Sequence, residues 1–121
     1  MRAMQVRKIE GLPSELTSGG IFTGEVLIKR VFGKETGAKN LSISVVSFPP
    51  GIRNTWHSHD QDQCLWILNG EGIVANREQE WNAEPGLAFF IPAGESHWHG
   101  SVGRAFSHIS IIGGMSPTRV G

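Results

Sequence analysis

The sequence predicts an all-β chain folded as an antiparallel sandwich or barrel. Glycine is frequent, at 16 of 121 residues, and the apolar runs are short, as in strands divided by tight turns. Those runs are rich in β-branched and aromatic residues, which suit a pleated, half-buried surface. No long stretch holds a helical period. A chain of this length supports one core and is too short for two, so a single domain is expected.

Residues 1–19 are more polar and less patterned than the rest, and read as an N-terminal arm before one domain over 20–121. "IFTGEVLIKRVF" (21–32) and "LSISVVSF" (41–48) read as strands, with "GKETGAKN" as the turn between them. "PPG" at 49–51 breaks the chain. Six further short strands follow: "TWHSH", "QCLWIL", "GIVAN", "GLAFFI", "HWHGS" and "RAFSHISII". Turn signals fall at Asn69-Gly70, Glu84-Pro85-Gly86, Pro92-Ala93-Gly94 and between Gly100 and Gly103. Phe48, Leu65, Ile67, Phe89 and Phe90 are the expected core, some of them walling a pocket. Even punctuation of short strands is the pattern of an antiparallel sandwich or barrel.

Charge narrows the function. Eleven basic and eleven acidic residues give a formal net charge of +0, so nothing electrostatic favours nucleic acid or an anionic membrane as partner. No apolar stretch approaches the roughly 20 residues that span a bilayer, and "MRAMQVRKIEGLP" lacks the apolar centre of a secretory signal. A cytoplasmic protein is the expectation. Cys64 is the only cysteine, which excludes an internal disulfide; a small buried hydrophobe is its expected role.

The five histidines are unevenly spent: His57 and His59 form one H-x-H pair, His97 and His99 a second, and His108 follows. Side chains alternate faces along a strand, so each pair shares a face, with Trp56 and Trp98 directed the other way. A two-residue turn at Val102-Gly103 would set His97 opposite His108 and His99 opposite Phe106. Same-face imidazoles on neighbouring strands reach one metal ion and leave open positions on it.

This spacing resembles the cupin family. The family's first motif is a glycine, five residues, H-x-H, three or four residues, a glutamate, six residues and a glycine; here it appears as Gly51, His57, His59, Gln63 and Gly70. The second, a glycine, five residues, P-x-G, two residues and a histidine, appears as Gly86, Pro92, Gly94 and His97, with Ser101 where an asparagine usually closes it. The resemblance implies an all-β cupin barrel (a double-stranded β-helix, or jelly roll) and a divalent metal held by His57, His59, Gln63 and His97. Gln63 replaces the usual glutamate. Three imidazoles and an amide leave the full +2 charge on the ion, which makes it a stronger Lewis acid and draws anionic ligands. Mn2+ is the first expectation, with Fe2+, Ni2+ and Zn2+ also suited to such a set.

"WHSH", the glutamine, "GEG" and "IPAGESHWHG" with a later histidine are similar to small single-domain cupins that include manganese-dependent hydroxynitrile lyases, and to cupin domains attached to carboxymuconolactone decarboxylase proteins. The resemblance implies a lyase acting on a small carbonyl or cyanohydrin substrate, with His108 or His99 moving a proton. A metal-dependent dioxygenase and a non-enzymatic protein that binds a sugar or small carboxylate are the alternatives. The outward Trp56 and Trp98 together with the arm suggest a homodimer.

Overall fold

The computed structural model describes residues 3–114 and 118–121. Nine strands, β1 (Glu15–Thr17), β2 (Val26–Phe32), β3 (Leu41–Phe48), β4 (His57–His59), β5 (Gln63–Asn76), β6 (Glu80–Ala83), β7 (Ala88–Ile91), β8 (His97–Gly113) and β9 (Thr118–Val120), make up one sheet. Along one path the order is β1-β2-β3-β8-β4-β9, and β5 pairs with β6, β7 and β8. Every pairing between these strands is antiparallel. The only helical pieces among the described residues are short 3-10 turns at Ile9–Gly11 and Lys34–Thr36.

Two long strands organise the barrel, and here the structure corrects the sequence. "QCLWIL" and "GIVAN" are one strand, β5, and Asn69-Gly70 marks a bulge inside it rather than a turn. "HWHGS" and "RAFSHISII" are likewise one strand, β8. The expected hairpin at Val102-Gly103 does not form. Residues 102–105 instead bulge out opposite the single residue Glu71, between the pairs Gly70–Phe106 and Gly72–Ser101. His97 therefore pairs with Asn76, His99 with Val74 and His108 with Ile67, so His97 does not face His108 nor His99 Phe106. Gly70 permits the bulge: its φ is +83°, and a Cβ there would collide with the carbonyl oxygen of Ala105.

Alternation along the strands divides the faces. Val26, Ile28, Val46, Phe48, Leu65, Ile67, Val74, Ala83, Ile91 and Phe106 fill the interior, with Phe89 packed partly against them. Phe90 points outward and is 62% exposed, contrary to its expected place in the core. Cys64 is exposed too, not buried, because it shares the outer face of β5 with Trp66. Two apolar rows cross this outer face through register partners: Val45, Ile109, Trp66 and Ala88, then Ile43, Ile111, Cys64 and Phe90.

The tryptophans beside the histidines are covered by the chain's own arginines. The Arg53 guanidinium lies 3.8 Å from the ring centroid of Trp98, which is 5% exposed, and that of Arg77 lies 3.9 Å from Trp56. Within residues 1–19, β1 adds to the edge of β2 through Glu15–Ile28, Leu16–Leu27 and Thr17–Val26. No helix among the described residues is long and apolar enough to cross a membrane.

Candidate metal centre

The short strand β4 carries His57 and His59 on its inward side, and the register pair His57–His97 joins it to the start of β8. The rings of His57 and His97 are 4.3 Å apart between centroids, those of His57 and His59 5.0 Å, and those of His59 and His97 5.4 Å. All three side chains are buried, and they offer ligand nitrogens that lie within 4.8 Å of one another.

Each imidazole is anchored through Nδ1. His57 Nδ1 is 2.7 Å from the carbonyl oxygen of Thr55, and His97 Nδ1 is 2.9 Å from that of Glu95. Both partners lie two residues upstream, so the backbone leading into each strand sets the ring orientation. His59 Nδ1 is 3.1 Å from the Thr118 hydroxyl on β9. An Nδ1–H donated to a carbonyl places the free lone pair on Nε2, the arrangement found in metal-binding histidines. Among the described residues, the Nε2 atoms of His59 and His97 are buried with no partner. So is Oε1 of Gln63, whose Nε2 donates to the Ser110 hydroxyl at 2.9 Å. Buried polar atoms normally have partners, and three orphans at one site fit a missing cation.

Electrostatics agrees. Burial pushes the His57 imidazole down to about 4, helped by the nearby His97, and the same two causes bring His59 to about 4. Burial also lowers His97. The rings are therefore neutral at pH 7, with lone pairs available to a metal.

His99 and His108 form a second buried unit beside the cluster. Nε2 of His108 lies 3.1 Å from Nδ1 of His99, with the rings 4.7 Å apart and nearly perpendicular. Asn54 holds His99 by accepting its backbone N–H at 2.7 Å. Phe48 packs against both rings, at 5.9 Å and 5.7 Å, and ties them to the core. Burial pushes His108 down to about 4 and His99 well below its ordinary value, with His108 adding to the latter shift.

All six residues singled out in the sequence (His57, His59, Gln63, His97, His99 and His108) are buried on the inner side of the barrel. A cavity of about 420 Å3 opens onto five of them, with Ile21, Phe22, Ile28, Val46 and Ile112 as apolar walls and Arg30 also lining it. Sequence reasoning missed Asn54, Thr118, Ser110 and Arg30. None is a defining position of either motif; Arg30 and Thr118 come in through strand pairing, Asn54 from the segment before β4, and Ser110 shares a face of β8 with His108.

An antiparallel barrel that gathers three buried histidines from two H-x-H segments is a β-barrel with a site able to hold a metal ion. The chain matches the cupin domain model over residues 44–110 and belongs to the cupin family. It is 33% identical over 111 residues to an (R)-mandelonitrile lyase of Granulicella tundricola, covering 89% of this chain and 83% of that protein. Among solved structures, a cupin-like protein from Thermotoga maritima is 31% identical with a TM-score of 0.81, covering 88% of this chain and 83% of that one. The polyketide cyclase RemF from Streptomyces resistomycificus shares the fold at 17% identity and a TM-score of 0.86, covering 98% and 85%.

Proposed function

We propose that this chain is a divalent-metal-dependent lyase that cleaves small cyanohydrins to a carbonyl compound and hydrogen cyanide. The observation that carries the reading is the buried His99–His108 pair lining the same cavity as His57 and His59 of the three-histidine cluster. The likeness to a mandelonitrile lyase supports it. In this reading His57, His59, His97 and Oε1 of Gln63 hold one ion, Mn2+ first and Fe2+, Ni2+ or Zn2+ otherwise. The ion supplies Lewis acidity and charge to an oxygen that becomes negative.

The chain's own groups supply the proton transfer. We assign the His108 proton to Nε2, which then donates to Nδ1 of His99 and leaves the buried Nδ1 of His108 as the acceptor. It takes the substrate's hydroxyl proton. The oxygen's electron pair then forms the C=O bond, the bond to the nitrile carbon breaks, and cyanide leaves with the two electrons of that broken bond. His108 returns the proton to cyanide. Burial alone holds His108 neutral at pH 7 and ready to accept, with no need for repulsion from the ion. His99, fixed by Asn54, is the positioning residue that sets the tautomer.

The manganese-loaded protein should convert mandelonitrile to benzaldehyde, and chelation should abolish the reaction. His108→Ala should lower the rate at least roughly 100-fold, the usual worth of a general base. An unchanged rate in that variant would move the base to His99.

A further inference from the structure

Arg30 is the one formally charged side chain among the described residues lining the cavity, and no carboxylate lines it. It stands at the end of a polar row that crosses three strands. Arg30 on β2 is the register partner of Ser44 on β3, and Ser44 that of Ser110 on β8. The Ser110 hydroxyl in turn accepts from Gln63. Ser44 and Ser110 both line the cavity, so the row runs along its wall from the metal centre to the guanidinium. Two strand spacings, on the order of 10 Å, separate the Cα atoms of Arg30 and Ser110. A benzene ring fits between a reacting carbon near Gln63 and a group held by Arg30.

Arg30 has capacity to spare. Its Nε lies 3.5 Å from Oε2 of Glu15 on β1, and among the described residues no hydrogen bond or ion pair reaches its two terminal nitrogens. The two side chains are 50% and 56% exposed, so their mutual attraction is weak. A guanidinium with its fork free suits a carboxylate, which it grips with two parallel N–H bonds.

We propose that Arg30 is a specificity residue, and that the compound this cavity takes carries a carboxylate on the side away from its reacting carbon. The inference rests on reading the cavity as the lyase's substrate site, and it makes the substrate an anionic cyanohydrin rather than a neutral one. Glu15 competes for the same guanidinium and weakens the grip.

The test compares 4-formylbenzoate with benzaldehyde as calorimetric probes of the manganese-loaded protein, alongside cleavage of 4-carboxymandelonitrile and mandelonitrile. Wild type should bind the carboxylate probe at least tenfold more tightly. Arg30→Met should bring the ratio of affinities to about one, Arg30→Lys should keep part of it, and Glu15→Gln should widen it. Unchanged metal content and melting temperature in the variants would confirm that they fold. Equal binding of the two probes by wild type would overturn the inference, as would a preference that survives in Arg30→Met, because the carboxylate would then be held elsewhere. Arg30-dependent binding without cleavage of either nitrile would sustain carboxylate selection and remove the lyase reading. Cleavage of both nitriles at equal kcat/KM, with equal probe binding, would do the reverse.

Discussion

The cluster's three imidazoles are anchored unequally: His57 and His97 rest on backbone carbonyls two residues before their own strands, whereas His59 depends on the side chain of Thr118. Thr118→Val removes that anchor and lets the ring turn. Outer contacts of this kind are worth about 10–100-fold in metal affinity. A competition titration with a chelator should show a loss in that range for Thr118→Val, and a loss under about twofold would make the contact incidental. Gln63→Glu tests the charge argument at the same scale. A carboxylate at position 63 should keep the metal, even bind it more tightly, yet lower the rate of cyanohydrin cleavage by cancelling part of the ion's charge. A faster Gln63→Glu enzyme would discard the idea that a neutral ligand set serves the chemistry. The resemblance to the two cupin motifs picked out His57, His59, Gln63 and His97, and period-2 alternation placed each H-x-H pair on one face, a local property of the chain. Thr118, Asn54 and Arg30 were not legible, because Thr118 and Arg30 reach the site from strands distant in sequence and Asn54 acts on His99, 45 residues away.

At the scale of elements, strand content was readable and strand continuity was not. Asn69-Gly70 carries the composition of a hairpin turn, yet β5 runs through it, because pairing with β8 on both sides of the bulge outweighs the local signal. β8 likewise absorbs the expected turn at Val102-Gly103, so His99 and His108 meet within one bent strand rather than across a hairpin. The bulge therefore positions the proposed base, and Gly70 is what allows it. Gly70→Ala introduces a Cβ against the Ala105 carbonyl at a φ of +83°. It should cost about 2–4 kcal/mol, and the melting temperature should fall by on the order of 10 °C. A shift within a degree or two would mean that the strand relaxes without strain. Cys64 and Phe90 were misplaced for a related reason: alternation says that neighbours point opposite ways, but only the pairing says which side is inside.

For the whole molecule, neutral buried histidines link folding to pH. His57, His59 and His108 have folded-state values of about 4, below the ordinary 6.5, so the unfolded chain binds more protons between those limits. Stability they contribute is full above about pH 6.5 and is lost as pH falls toward 4. Each histidine supplies at most about 1.4 kcal/mol per pH unit. The urea midpoint of the metal-free protein should drop steadily from pH 7 to 5, and a flat profile would show that these rings are not neutral in the folded state. The homodimer expected from the sequence stands as a proposal, on a different surface from the one that suggested it, since Arg53 and Arg77 already cover Trp98 and Trp56. The uncharged rows through Cys64, Trp66, Ile109 and Phe90 offer a face that matches itself under two-fold symmetry. Light scattering should return twice the 13.2 kDa chain mass, and Trp66→Glu should return the monomer; a monomeric wild type at micromolar concentration would refute the pairing.

The central claim is that three histidines from two strands hold one metal ion. Elemental analysis of the purified chain, beside folded His57→Ala and His97→Ala variants, tests it most directly. One equivalent of a divalent transition metal in the wild type and marked depletion in both variants is the predicted result. Stoichiometric metal in both variants would contradict it.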